Sequence, residues 1–489
     1  MNADKFYITT TLPYVNADLH IGHALEFVQA DALARHQRQH GKSVFFLTGT
    51  DEHGLKVART AQEYGKDPKR FVDEMSRRVK GLKKILNLSW DFFIRTTDVK
   101  NHYPGVIKLW RQLGKSGDLY KKTYRGLYCT GCEAFISDKE LEDGKCPIHQ
   151  KEPELVEEEN YFFRLSAYGK ALKKKIESGE MRIVPQTRAN EILALMDRGL
   201  EDVSFSRPRV KLSWGIPVPG DDSQTMYVWA DALTNYISAI GYGRDEKELE
   251  RWWPADVQVL GKDVLRFHAA IWPAMLLSAG LPVPKTLFVH GFLTIDGQKI
   301  SKSFGNVIAP SELVEQYGTD AVRHYFLREI SPVGDGDFSH ERFRQRYNGD
   351  LANGLGNFAA RVTGLCGQFG KVQNDFAMME LAAEQKIKST ATAIENAMKE
   401  FRFNDALAAV WNLLAFGDAY VNEKKPWDKA NTHAQTEKAL YNLLMVLNAV
   451  AVFLEPFLPD ASKKIRAHVV IKGKSIRVKT LLPLFPRLE

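Results

Sequence analysis

Short apolar runs alternating with longer helical patterns constrain this chain more than any other feature. Residues Lys5 to Tyr14 are β-branched and aromatic and read as a buried strand. His20 to His40 reads as a helix, with Ala24, Leu25, Phe27, Val28, Ala32 and Leu33 on its apolar positions and Gly41 as its stop. Ser43 to Thr50 is a second strand, helical pattern follows through Leu86, and Asp91 to Thr97 is a third strand. Strands separated by helices predict right-handed βαβ units and a parallel sheet. The alternation breaks between Tyr120 and Arg207, a stretch holding an acidic run (Glu152 to Glu159), turn residues and three cysteines, and we read an insertion there. It resumes near Lys211, with strands at Val257 to Leu260 and Thr286 to His290. Beyond Arg342 strand signals vanish and helical periodicity runs to about Leu458, with the polar segment Glu380 to Lys399 separating two helices.

A chain of 489 residues exceeds one ordinary core and suggests about three domains. Its charged fraction of 26% is that of a folded globular protein. No stretch approaches the roughly 18 apolar residues that span a bilayer. The start, MNADKFYITTTLPY, has neither a secretion nor a transit pattern, so we expect a cytoplasmic protein without a membrane partner. The net charge of +7 permits a polyanionic partner without demanding one. The cysteines are more informative. Cys129, Cys132, Cys146 and His149 make a C-x2-C-x13-C-x2-H arrangement, two short chelating loops that suit tetrahedral zinc. All four ligand places are filled, which leaves none for a substrate, so we expect one structural Zn²⁺. Cys366 lies apart in helical sequence and reads as core.

Two basic clusters could handle phosphate. His20-Ile21-Gly22-His23 opens the first helix, where backbone N–H groups and the helix dipole attract anions. Asp18 is placed to cap that helix, the two histidines share its first turn, and Gly22 would let a flat base approach. Far along the chain, Lys299-Ile300-Ser301-Lys302-Ser303 follows an Asp296-Gly297 turn, and its compact ammonium charges suit a leaving pyrophosphate. Taken singly, the first reads more simply as surface histidines and the second as a solvated loop.

Taken together, HIGH and this variant of KMSKS resemble the two signatures of class I aminoacyl-tRNA synthetases. The first matches in full; at the second, Ile300 stands where methionine is usual. The resemblance extends across nearly the whole chain and in detail is nearest the methionine-specific branch. It implies an α/β architecture: a Rossmann-type parallel-sheet catalytic domain in two halves (1–117 and 208–289), an inserted zinc-knuckle connective domain (118–207), a KMSKS-loop region (290–345) and a C-terminal α-helical bundle that binds the anticodon (346–489).

The resemblance also implies the chemistry. ATP with Mg²⁺ and L-methionine would give methionyl-adenylate, and tRNA(Met) would then take the methionyl group. His20, His23, Lys299 and Lys302 would act on the phosphates, joined in ATP binding by Gly22, Gly261 and Asp263, the last two at the ribose. Leu12, Tyr14, Asp51, Trp229, Ala232, Leu233, Tyr236, Phe267, His268 and Trp272 would form the methionine pocket, with Asp51 on the ammonium and aromatic rings around the thioether. Some members carry proline at the place of Leu233. Asn357 and Arg361, four apart on one helical face, and Trp427, after Pro426 at an expected helix start, would read the anticodon by edge contacts and stacking. The insertion is too small for the editing domain of the isoleucine, valine and leucine enzymes. Ending at Glu489 without the dimerising module some members append, the chain is expected to be a monomer. A synthetase for another amino acid such as cysteine, and a catalytically silent tRNA-binding relative, stand as the alternatives.

Overall fold

The computed structural model describes residues 4–132, 134–136, 141–148, 150–300 and 305–489, and of residues 134 and 135 the backbone alone. Contacts divide the chain into two units: Met1–Leu19 with Gly41–Lys83 and Ser89–His290, and His20–His40 with Lys84–Leu88 and Gly291–Glu489.

In the first unit, six strands build one sheet. They are β1 (Lys5–Thr9), β2 (Ser43–Thr50), β3 (Phe92–Arg95), β4 (Arg182–Val184), β5 (Val257–Gly261) and β6 (Thr286–His290), in the order β3-β2-β1-β5-β6-β4. Every pairing is parallel. β5 is buried along its whole length, as its run of apolar residues requires in a sheet covered on both faces. Strand order reverses between β1 and β5, and ligands of such sheets sit in the crevice beyond the carboxyl ends at that switch. β1 ends earlier than its apolar run. Pro13 cannot donate to a ladder, and Tyr14 rejoins through a single parallel bridge to Asp51.

The segment 118–207 supplies β4 to this sheet as well as an antiparallel sheet of its own. In the latter, Leu119–Cys129 pairs along most of its length with Glu154–Phe163. The acidic run is therefore largely strand, and Glu158 within it is buried against Arg207 (2.7 Å) and Lys211 (3.2 Å). One apolar core joins Tyr7, Leu47, Phe163, Tyr236, Trp272 and Val289.

The second unit is mainly helical. It contains α1 (Ile21–Gln39), α2 (Asn357–Phe369), α3 (Leu381–Lys399), α4 (Phe403–Lys424) and α5 (His433–Leu454). The polar segment expected to separate helices is itself α3, whose Ala383, Thr390, Ile394, Ala397 and Met398 form a buried stripe that its lysines and glutamates obscured. Strands also return late in the chain, with Val469–Lys472 and Ser475–Val478 forming a hairpin onto Val372–Gln373. α5 is long and apolar enough to cross a bilayer, yet 61% of its most apolar stretch is buried inside the protein, as in a core helix. Arg323, fully buried, is the unit's polar hub: it donates to Phe457 O, Leu86 O and Pro456 O and pairs with Asp31 of α1 at 2.8 Å. That arginine ties α1 into the helical unit.

Candidate active site

α1 begins with a reciprocal cap made by two histidines. His20, not Asp18, is the N-cap: its Nδ1 accepts from Gly22 N (3.1 Å), while Nδ1 of His23 accepts from His20 N (3.3 Å). Asp18 instead pairs with Arg78 at 2.6 Å, where a full cationic charge competes with helix N–H dipoles for the carboxylate. Both Nδ1 atoms are thus acceptors, so each neutral ring carries its proton on Nε2. Burial lowers the pKa of His20 to about 4. A Cβ on Gly22 would stand 2.9 Å from Cε1 of His20, so glycine here lets the imidazole fold over the helix end. Ile21 N donates to Ile308 O at 3.1 Å, which binds this helix start to the segment just after the lysine motif.

The lysine motif begins on a hairpin. Leu293–Ile295 pairs with Gln298–Lys299 across Asp296 (φ +49°) and Gly297 (φ +75°), a two-residue turn whose left-handed conformation the Asp-Gly pair tolerates. Lys299 is exposed, and its carbonyl accepts from Asn306 Nδ2 at 3.0 Å. Lys302 lies outside the described residues.

Within the first unit, Asp51 follows the carboxyl end of β2 and is 6% exposed, its backbone bonded to the Pro13–Val15 turn beside Tyr14. Trp229 stacks on Phe267 with ring centroids 3.6 Å apart, and both are half-buried. A π-helical turn, Phe267–Ile271, carries Phe267 and His268. His268 Nε2 meets the Tyr236 hydroxyl at 2.7 Å and its Nδ1 donates to Val264 O at 2.9 Å, so the tyrosine donates to Nε2. Trp272 lies 5.8 Å from the Tyr236 ring, Ala232 and Leu233 are buried, and Leu12 packs on the same core. Gly261 ends β5, and a Cβ there would stand 2.7 Å from the exposed Asp263 carboxylate.

A buried network beside these residues escaped the sequence. Asp231, on the short helix Val228–Ala232 with Trp229, is 1% exposed and accepts from His53 Nδ1 (2.6 Å) and His102 Nε2 (2.7 Å). His102 Nδ1 continues to Ser238 Oγ (2.8 Å), and Tyr103 OH lies 3.4 Å from His53 Nε2. Burial opposes the charge of Asp231, but the two imidazoles hold its carboxyl below the usual range. Glu52, also fully buried, receives a bidentate Arg95 (2.6 and 2.9 Å). One signal was available: an aspartate inside the apolar Val228–Leu233 stretch has to find partners.

The Sγ atoms of Cys129, Cys132 and Cys146 lie within 4.8 Å of one another, Cys132 and Cys146 at 3.5 Å. Tetrahedral zinc with bonds of about 2.3 Å would separate its sulfurs by roughly 3.8 Å, so the three thiols fit the ion. His149 lies outside the described residues. In the helical unit, the Arg361 guanidinium sits 5.1 Å over the ring of Trp427, which is 49% exposed, and donates to Asn422 at 2.8 Å. Asn357 is exposed one turn earlier on α2. Trp427 stands in the turn after α4, not at a helix start. The left-handed Lys425 (φ +43°) ends α4, and the next helix waits for the Thr432 capping box.

Comparison with known proteins agrees. The family model "tRNA synthetases class I (M)" matches residues 6–152 and 137–363, and that of the "Anticodon-binding domain of tRNA ligase" matches 381–484. The methionine--tRNA ligase of Thermotoga maritima is 43% identical over 96% of this chain and 76% of its own length. That of Brucella suis is 42% identical over 95% and 92%. The solved Mycobacterium tuberculosis methionyl-tRNA synthetase in complex with methionyl-adenylate superposes with a TM-score of 0.94, at 35% identity, covering 99% of this chain and all of that one.

Proposed function

We infer, from a chain that belongs to the methionine-specific class I aminoacyl-tRNA synthetases, that it joins L-methionine to tRNA(Met) at the expense of ATP. The methionine carboxylate attacks the α-phosphorus, pyrophosphate departs, and a terminal hydroxyl of the tRNA then displaces AMP from the methionyl-adenylate. No covalent enzyme intermediate is required, so catalysis rests on positioning and on stabilising charge as it develops.

The observation that carries this reading is the bond between Ile21 N and Ile308 O, which joins the start of α1 to the stretch after the lysine motif within one compact unit. The fixed Nε2–H tautomers of His20 and His23 make each ring a neutral hydrogen-bond donor to phosphate oxygens. Lys299 and Lys302 add cationic charge for the leaving pyrophosphate, and the Mg²⁺ accompanying ATP neutralises part of its charge. Asp263 takes the ribose hydroxyls, and Gly261 leaves room for the sugar.

Asp51 holds the methionine ammonium, and Tyr14, Leu12, Trp229, Ala232, Leu233, Tyr236, Phe267, His268 and Trp272 line the side-chain slot. The hydroxyl of Tyr236 is committed to His268, which leaves its ring face for the thioether. Cys129, Cys132 and Cys146, with His149, hold one structural zinc that braces a part of the insertion with little core. Asn357, Arg361 and Trp427 read the anticodon; Arg361 lying over Trp427 keeps the ring presented for a base to stack. The enzyme works in the cytoplasm as a monomer. Pyrophosphate exchange measured with each of the twenty amino acids tests the assignment. Methionine alone should support exchange; stimulation by cysteine without methionine, or tRNA binding with no adenylate formed, would overturn it.

A further inference from the structure

At the far end of α1 a second group of donor atoms converges. His36 on the last turn and His40 at the C-cap are four residues apart and present their rings together, with centroids 4.3 Å apart. Glu395 of α3 meets both. Its Oε2 lies 3.1 Å from His36 Nε2 and 3.3 Å from His40 Nε2. All three ligand atoms fall within 4.8 Å of one another. A four-coordinate ion with bonds of about 2.0–2.1 Å separates its ligands by roughly 3.3 Å, close to the two carboxylate–imidazole distances here.

The second ring nitrogen of His40 strengthens the case. Its Nδ1 lies 2.8 Å from the His36 carbonyl, which can only accept, so Nδ1 carries the proton. In the neutral ring Nε2 is then a lone pair facing a carboxylate oxygen, and only a proton or a metal ion placed between them relieves that. Anchoring of the distal imidazole nitrogen by a backbone carbonyl is how metal-bound histidines are commonly oriented. Lys399 occupies the other carboxylate oxygen, Oε1, at 3.1 Å, leaving Oε2 to the imidazoles. The His36 side chain is nearly buried, whereas His40 (48%) and Glu395 (34%) are open to solvent, so an ion can enter and keep a water as its remaining ligand.

We propose that His36, His40 and Glu395 form a divalent transition-metal site, separate from the thiolate cluster, that takes Zn²⁺, Ni²⁺ or Cu²⁺ through two nitrogens and one oxygen. The ion clamps α1 to α3, elements far apart in sequence that share one unit. Because His20 caps the start of α1, the clamp fixes the helix whose opposite end bears the proposed phosphate-facing histidines. Metal binding to the folded chain alone raises its stability by mass action.

The test uses the full chain and the variants His40→Ala and Glu395→Gln, both at solvent-open positions and outside the proposed catalytic machinery. Zn²⁺ is measured by equilibrium dialysis, and Co²⁺ is titrated while absorbance is recorded. Wild type should bind two equivalents of Zn²⁺, one of them through the thiolates. Each variant should lose one equivalent while keeping the sulfur-to-cobalt charge-transfer band. Zn²⁺ should also raise the melting temperature of wild type more than that of either variant. One equivalent in all three proteins would show a plain imidazolium–carboxylate pair and overturn the proposal. Two in all three would place the second ion elsewhere and overturn it equally. Wild type with one equivalent and no thiolate band, but with that equivalent lost in the variants, would uphold this site and sink the zinc knuckle instead.

Discussion

Replacing Asp231 with asparagine removes a charge that two buried imidazoles share. In the wild type, Oδ2 accepts from His53 at 2.6 Å and Oδ1 from His102 at 2.7 Å, with the carboxylate 1% exposed. An amide keeps one acceptor and turns the other atom into a donor aimed at an imidazole N–H. Relief by the other tautomer is open to His102, whose Nδ1 faces a hydroxyl that can reverse its role. The loss of charge assistance remains. Each hydrogen bond to a charged group contributes about 1.5–3 kcal/mol, and breaking a buried ionic set costs about 3–5 kcal/mol. We take about 3 kcal/mol as the expected cost for Asp231→Asn. At about 2–4 °C per kcal/mol for a unit of this class, thermal unfolding should fall by roughly 6–12 °C. The carboxyl sits below its usual range, so its contribution is fully present above the unfolded value near ~3.9 and is lost only as pH falls through the lower folded value. The difference between the proteins should therefore hold at full size near pH 7 and close only below about pH 4. Calorimetry of both proteins at several pH values, with methionine titrated against tryptophan fluorescence, is the assay. Trp229 shares the Asp231 helix, so methionine should also bind more weakly. A melting point within about 2 °C of wild type, or a gap that widens toward acid, would refute the reasoning.

The remaining expectations concern separate steps. Lys302→Ala should slow adenylate formation far more than it weakens methionine binding, because its charge matters as pyrophosphate leaves; equal losses in both would contradict that role. His20→Asn puts an amide oxygen in place of the capping Nδ1 but removes the Nε2–H donor, so the protein should keep its melting temperature while pyrophosphate exchange falls by about 10²-fold or more; near-normal exchange would make His20 a cap only. Trp427→Ala should reduce tRNA charging and leave pyrophosphate exchange intact, and damage to both would mark a structural residue. Chelating zinc should loosen the segment around Cys129–Cys146, read as faster proteolysis there, with exchange affected less than charging; a metal assay that finds no zinc bound through sulfur would remove the basis of that expectation.

What the sequence disclosed, and what it hid, follow from one physical difference. β2 and β6 were legible to their end residues because they are short, apolar and bounded by turns, so local pattern alone specifies them. α3 was not, because a helix that buries only a narrow stripe amid lysines and glutamates looks like a polar linker until its partners are known. The two histidines that cap α1 show the same contrast more sharply. Their spacing announced a helix start and an affinity for phosphate, yet assigned the capping role to Asp18, the residue type that propensity favours. Arg78, some sixty positions away in sequence, claims that carboxylate, and the vacated cap passes to the histidines. The competition fixes their tautomers, and through the tautomers the donor that each can offer to phosphate. Asp231 follows the same logic, since its meaning depends on His53 and His102, which no local window contains. Motifs therefore name the groups expected at the substrate, whereas the protonation state of those groups is set by long-range partners that appear only once the chain is folded.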